Sequence, residues 1–409
     1  MSQNASSSTH DLAPQACIAC KKRKGRCNKG LPACNFCQSK NRPCYYAQYL
    51  PAVRECSASY QRTISFPRTL YLDHDVFEKS PVELPHPGFE VPPYVTTEIG
   101  DFTQQRLLAS QFFSSIHLWM PIISKQRFWS TLLSSPAIYR SDTALLCLSM
   151  RLLMWLPSPD CPDSRPPIYL AARQFLYSVD MSQHLTLPIL QAAILITIFE
   201  IGHAIYPAAH TSMSLCIEYA TAMGLGWKSV RWGDNTLSWV EKEERMRVWW
   251  AIVILERYIS LGWSKRPIIT EGPSGDQVLP SDDSAWDEGV QSPNYAMTTS
   301  TPVSINMGPF ARLAQATHLL DRVLHHINEP TRSEEEAIQL DKALRALVAF
   351  TANETTRRRM KLCCHTALCH RTEPQERTQA AMKTVHSALQ KVNSRWRAAG
   401  AYLDILEAH

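Results

Sequence analysis

The sequence predicts a small cysteine-built domain, a proline-rich linker and a large all-α domain. Three observations carry that expectation. Six cysteines fall within the 28 residues from Cys17 to Cys44, a stretch with almost no apolar bulk. Pro81, Pro85, Pro87, Pro92 and Pro93 crowd the second half of the segment that follows, which is linker chemistry. From Asp101 onward apolar residues recur at helical spacing and hardly ever alternate as they would in a strand. With 409 residues and 45% hydrophobic content, the chain has room for roughly two or three domains and at least one sizeable core.

Residues 1–16 are polar and Ser-rich and are expected to form a disordered tail. The start MSQNASSSTHDLAPQ lacks the basic and apolar regions of a secretory leader, so the thiols are expected to stay reduced. Clustered reduced thiols point to a metal rather than to disulfides. Charge is distributed unevenly. Residues 12–54 carry nine Lys or Arg and no acid, although the whole chain sums to only +5. That concentration is the footprint of a polyanion-binding module.

The module, residues 17–44, reads C-x2-C-x6-C-x6-C-x2-C-x6-C through Cys17, Cys20, Cys27, Cys34, Cys37 and Cys44. Each half repeats C-x2-C-x6-C, and tetrahedral sulfur sites favour zinc. Two Zn2+ ions need eight ligand positions, which six cysteines fill only if two of them bridge. The first cysteine of each half is the natural bridge. A single ion would leave the two-fold spacing unexplained, and a metal store would need no basic run. Ile18, Leu31 and Phe36 are the only appreciable apolar bulk inside the module, too little for a metal-free core. Metal binding is therefore expected to be folding here.

The stretch resembles the fungal binuclear zinc cluster transcription factors, with Ala16, Lys24, Arg26, Pro32 and all six cysteines at the expected places. The resemblance implies that Cys17, Cys20, Cys27 and Cys34 hold one zinc, and that Cys34, Cys37, Cys44 and Cys17 hold the other. Pro32 would shape the loop between the halves. It further implies a helix set end-on in the major groove of double-stranded DNA over a CGG-type triplet. By position, Arg23 and Lys24 would read bases, while Lys21, Lys22, Arg26 and Lys29 would grip phosphates. Gly25 and Asn28 depart from the family pattern, and Gly25 is expected to loosen the end of the first short helix. The implied location is the nucleus.

Residues 45–100 form the expected linker. A short coiled coil there would use Leu50, Val53, Ser57, Tyr60 and Ile64 before Pro67 ends the frame, about two heptads. That leaves a weak homodimer and a monomer both open.

In the region 101–409, helices are expected near 102–118, 124–135, 141–155, 166–180, 187–204, 208–223 and 238–262. More follow near 308–328, 332–351, 354–371 and 374–407. In the segment EKEERMRVWWAIVILERYISLGW, Glu241–Arg245 and Glu243–Arg247 are i,i+4 pairs in the favoured order. Its Trp249 and Trp250 are expected in the core, and the helix itself at the centre of the domain. The greasiest segment is interrupted by Gln191, Glu200 and His203, so no membrane span is expected.

The stretches SLCIEYATAMGLGW, EKEERMRVWWAIVILERYISLGWSKRP and LPSDDSAWDEG resemble the family's middle regulatory domain. The resemblance implies a non-enzymatic regulator whose helical part answers to a co-regulator or a small-molecule inducer. By analogy with compact relatives, it also implies a pathway-specific regulator, with a secondary-metabolite gene cluster as the candidate target. Asp282, Asp283, Asp287 and Glu288 superficially match a Mg2+-binding terpene synthase motif. They follow Pro280 among helix breakers, however, and no second motif accompanies them. Cys363, Cys364, His365, Cys369 and His370 form a further Cys/His group without the cluster spacing. No Ser-His-Asp order, P-loop or dinucleotide fingerprint stands out.

Overall fold

The structure, a computed structural model, describes residues 13, 15–30, 33–40, 42, 44, 90–134, 140–157, 165–182, 185–227, 237–261, 267–291, 296–329, 333–353, 390 and 395–399. The coiled-coil frame, Leu31, Pro32, the Cys363–His370 group, the helix near 354–371 and most of that near 374–407 lie outside these residues. The chain divides into two units, Met1–Ser65 and Phe66–His409.

Among its described residues, the first unit carries two short helices, α1 (Ile18–Lys22) and α2 (Asn35–Ser39). The expected tail does not stay clear of the module to residue 16. Ala13 is buried against the cysteines and its N–H donates to the Lys29 carbonyl at 2.8 Å.

The second unit is helical, and among its described residues extended pairing goes no further than the isolated bridge Val278–Thr298. It begins earlier than the sequence suggests. Helix α3 (Pro93–Ile99) lies inside the stretch expected to be linker, and its Val95 and Ile99 are buried in the main core with Val91. The linker expectation for 90–100 is thereby corrected. Pro92 and Pro93 start a helix here, because proline's fixed φ suits the first helical position. Pro167 and Pro309 begin helices in the same way. Gly100 then turns the chain at φ 69°, where a side chain would strike Gln104. That glutamine completes a capping box with Asp101 at the head of α4 (Phe102–Phe113).

A 3-10 turn at Ile116–Leu118 ends the expected 102–118 helix early. There follow α5 (Lys125–Ser134), α6 (Ser141–Met154), α7 (Pro167–Met181), α8 (Leu187–Gly202) and α9 (Ala208–Ala222). Beyond them come α10 (Trp239–Ser260), the short α11 (Asp283–Asp287), α12 (Pro309–Asn328) and α13 (Glu334–Asn353). Helix α8 is the axis of the unit. All its residues but Pro188 and Gly202 are buried, and it packs chiefly on α6 and α9. A helix apolar on every side must be wrapped by others. No helix among the described residues is long and apolar enough to cross a membrane.

The polar groups of α8 find partners within the core. Gln191 Nε2 donates to the Ile122 carbonyl at 2.7 Å and to Glu244 at 2.9 Å. Glu200 accepts from the Tyr169 hydroxyl at 2.8 Å. The His203 ring packs at an angle among Phe199, Trp155 and Trp396, with ring centroids 4.2, 5.5 and 5.4 Å away. Trp396 lies directly over Gly202, where a Cβ would come within 2.1 Å of the indole.

Helix α10 is buried on almost every side, charges included. Trp249 and Trp250 are core residues as expected, and Trp227 meets both edge-on. Arg247 and Arg257 are wholly buried as well. Arg247 pairs with Glu243 at 2.8 Å and with Asp283 at 2.7 Å, and donates to the Ser281 carbonyl at 2.8 Å. Arg257 pairs with Glu256 at 2.6 Å and with Asp321 at 2.7 Å, and donates to the Thr270 carbonyl at 2.9 Å. Between these two arginines the Trp250 indole N–H donates to the Val278 carbonyl at 3.1 Å. The segment 267–287 therefore runs antiparallel to α10, pinned by hydrogen bonds from one end to the other.

Candidate metal centre and nucleic-acid interface

The two halves of the cysteine module are built alike, with matching positions 17 residues apart, as Cys17 and Cys34 are. Cys17 and Cys34 each sit before a helix in extended backbone. Each sulfur accepts the N–H of the cysteine three places on, Cys20 or Cys37, at 3.4 Å. At the other end of each helix, the Gly25 N–H donates to the Cys20 carbonyl at 3.0 Å and the Arg42 N–H to the Cys37 carbonyl at 2.9 Å. These are Schellman-type closures, which turn the chain sharply back.

The closures bring the sulfurs into two groups of four. One holds Cys17, Cys20, Cys27 and Cys34; the other holds Cys17, Cys34, Cys37 and Cys44. Within each group all Sγ atoms lie within 4.8 Å of one another, and Cys17 and Cys34 belong to both. Cys17 Sγ is 3.7 Å from both Cys34 and Cys37, and Cys20 Sγ is 3.8 Å from Cys34. A tetrahedron with Zn–S bonds of about 2.3 Å has S···S edges of about 3.8 Å. The donor set fits zinc in both chemistry and spacing.

The thiols resist ionising together. Burial drives Cys17 and Cys20 upward and takes Cys37 up to about 12. Burial also opposes ionisation of Cys34. There, hydrogen bonds from the Cys37 backbone and from the Cys37, Cys17 and Cys20 thiols prevail and hold it at about 6. Such a nest accommodates one thiolate easily and the full set only with cationic countercharge.

Helix α1 is shorter than the basic run. It ends at Lys22, Arg23 is its C-cap, and Lys24 takes the left-handed conformation at φ 53°. The place that glycine usually fills in this closure is thus held by Lys24, and Gly25 stands one residue later. Of the basic residues 21–26, only Lys21 and Lys22 lie on the helix, which stops there. The chain must reverse to bring Cys27 back to the sulfurs. Lys21, Lys22, Arg23, Lys24 and Arg26 are exposed and have no carboxylate partner among the described residues; Lys29 is half-buried. Asn28 accepts the Asn35 N–H at 2.8 Å, clipping the loop between the halves to α2.

One residue beside the basic run was not legible as part of it. Phe36, on α2, lies beneath the Arg23 guanidinium, 4.2 Å from its centroid. The signal available was the break in the repeat: the matching position in the first half is Ala19.

The acidic group of the second unit is not a ligand set. Asp282 caps α11 by accepting from the Ser284 and Ala285 N–H groups, and Asp283 pairs with Arg247. Asp287 binds His117 at 2.9 Å and Lys125 at 2.5 Å. Among the described residues, the only groups placed to hold a metal are those of the cysteine module.

Two family models match the chain. The fungal Zn(2)-Cys(6) binuclear cluster domain covers residues 15–52, and the fungal specific transcription factor domain covers residues 109–394. Among curated proteins, transcription factor BOA15 of Botryotinia fuckeliana is 41% identical over 140 residues, which is 34% of this chain and 76% of that protein. An uncharacterized transcriptional regulatory protein of Schizosaccharomyces pombe, PB1A11.04c, is 24% identical over 272 residues, 61% of this chain and 38% of its own. The arabinolytic transcriptional activator araR of Emericella nidulans is 32% identical over 60 residues, 15% of this chain and 7% of its own. This chain thus spans most of the first relative but well under half of the other two. No solved structure matches. The paired cysteine groups, the helical second unit and both family matches agree: this chain belongs to the fungal Zn(2)-Cys(6) transcription factors with a fungal specific transcription factor domain, zinc-binding DNA-binding regulators rather than enzymes.

Proposed function

We propose that this chain is a nuclear, sequence-specific regulator of RNA polymerase II transcription that reads CGG-type sites in the major groove. Two Zn2+ ions are held by Cys17, Cys20, Cys27, Cys34, Cys37 and Cys44, with Cys17 and Cys34 shared. The observation that carries this reading is the sharing of those two sulfurs between two four-sulfur groups, beside an exposed basic turn. Lys24 and Arg23 contact base edges, and Lys21, Lys22, Arg26 and Lys29 hold phosphates. The zinc supplies a core to a module with too little apolar bulk for one. Six thiolates against two Zn2+ leave −2, which the nine basic residues of 12–54 exceed.

The helical unit transmits regulation, from a co-regulator or a small-molecule inducer, to a DNA-bound chain that is a monomer or a weak homodimer. Its targets belong to one pathway, with a secondary-metabolite gene cluster as the first to examine. A gel-shift series tests the core of the proposal, comparing CGG-bearing duplex, scrambled duplex and RNA, with and without chelator. Preference for the CGG duplex, lost on chelation, is expected. Equal, chelator-insensitive binding to all three would point to a general nucleic-acid or other partner and sink the reading. Genome-wide mapping of bound sites identifies the pathway.

A further inference from the structure

The two halves of the zinc module share a backbone but not a surface. In register 17 residues apart, Lys21 corresponds to Gln38, Lys22 to Ser39, Lys24 to Asn41, Arg26 to Pro43 and Lys29 to Tyr46. Only Arg23 corresponds to another basic residue, Lys40. The second half thus carries fewer basic residues than the first, Lys40 and Arg42 between Cys34 and Cys44. Its contribution lies at Phe36, where the first half has Ala19 and where the ring carries the Arg23 guanidinium at 4.2 Å.

We infer that Phe36 is a positioning residue for DNA binding: it holds the Arg23 guanidinium by its face so that the N–H edge is presented, ready-oriented, to paired acceptors on DNA. Three features support this. A ring under a guanidinium occupies its face and leaves the in-plane donors free. Arg23 is exposed and has no carboxylate partner among the described residues, so nothing there competes for that edge. Gly25 flanks the same group: a Cβ there would lie 4.0 Å from Arg23 Nη2, in contact with the guanidinium. The absence of a side chain at Gly25 keeps the approach open. An arginine fixed this way loses less rotamer freedom on binding than one free in solvent.

The paired acceptors are either two phosphate oxygens or the O6/N7 edge of a guanine, and the test tells them apart. The inference rests on the reading of Arg23 as a DNA-contacting residue. It is tested with the full chain, by fluorescence anisotropy on a CGG duplex and on a duplex with the triplet changed, across a salt series. Zinc content is measured for every variant. Phe36→Leu keeps bulk but removes the π face, and is expected to weaken CGG binding by about two- to five-fold. Phe36→Trp should restore it. In an Arg23→Ala background Phe36→Leu should change nothing further, because the group it positions is gone.

Arg23→Lys, which leaves α2 untouched, should reproduce the loss, because an ammonium keeps the charge but not the planar fork. If the acceptors are phosphates, Arg23→Ala lowers the salt slope by about one; if they are a guanine edge, it narrows the preference for CGG. Unchanged binding by Phe36→Leu, or an equal loss with and without Arg23, would overturn the inference. Equal binding of the unaltered chain to both duplexes would sink the CGG reading instead, and the coupling between Phe36 and Arg23 would still be measured.

Discussion

The wholly buried guanidinium of Arg247 lies 4.2 Å from the Trp286 ring while its Nη1 pairs with Asp283 at 2.7 Å. One side chain of α10 thus holds two residues of α11 at once. The stretch containing α11 looked at first like a candidate metal motif. Its Asp283 instead helps fasten the 267–287 segment along α10 through Arg247, while Arg257 holds the other end by the Thr270 carbonyl.

Removing Arg247 would leave Glu243 and Asp283 without their buried countercharge. Arg247→Ala is expected to destabilise the helical unit by about 3–5 kcal/mol. Arg247→Lys should recover only part of that, since an ammonium cannot make the same forked contacts. Thermal unfolding followed by circular dichroism measures both. A loss below about 1 kcal/mol for Arg247→Ala would show that the pairing contributes little.

The shared sulfurs make a prediction about metal stoichiometry. Cys34 belongs to both four-sulfur groups and Cys44 to one. Cys34→Ser should lose both zinc ions, whereas Cys44→Ser should retain about one per chain, as metal analysis of the purified variants would show. The helical signal should survive in both, because the main core is built, among the described residues, from Val91 onward.

At Lys24, folding and DNA reading can be pulled apart. A left-handed backbone disfavours lysine by roughly 1–2 kcal/mol relative to glycine. Lys24→Gly should therefore hold zinc against a competing chelator at least as well as the natural chain, yet lose ~1–3 kcal/mol of binding to the CGG duplex. Lys24→Ala keeps the backbone strain and should show the same loss of binding without any gain in zinc retention.

His203 sets an acid limit on the helical unit. Burial, reinforced by Arg397 and Arg395, lowers it from the usual 6.5 to about 4. The unfolded chain therefore takes up a proton that the folded chain refuses between those values. Its contribution is complete above about pH 6.5 and is lost as pH falls towards 4, by up to about 3 kcal/mol. His203→Phe should flatten that limb of the stability curve, as denaturant titrations at pH 7 and pH 5 would reveal. An unchanged limb would place the acid sensitivity elsewhere.

Much of this was legible along the chain. Helical spacing located α4 to α10, α12 and α13 to within a few residues, except that α4 stops at Phe113 and yields to a 3-10 turn. Trp249 and Trp250 fell in the core where the period put them. Prolines misled once: read as linker punctuation, Pro92 and Pro93 begin α3, since the same fixed φ serves an extended linker and a first helical turn. The buried charges of α10 were not legible either. A run rich in Glu and Arg reads as a solvated face, and only the partners at Asp283, Thr270 and Asp321 make its burial tolerable.

By itself the sequence determined the inventory of the site: six sulfurs in a repeat that only sharing can reconcile with two tetrahedral ions, and a basic run between the second and third. Those follow from ligand count and charge, which need no coordinates. Tertiary structure decided the rest. It ended α1 at Lys22 and bent Lys24 into a left-handed turn, because the chain must reverse to return Cys27 to the cluster. It also laid Arg23 on Phe36, a pairing across 13 positions that no local spacing encodes, because only the folded cluster brings the two halves face to face.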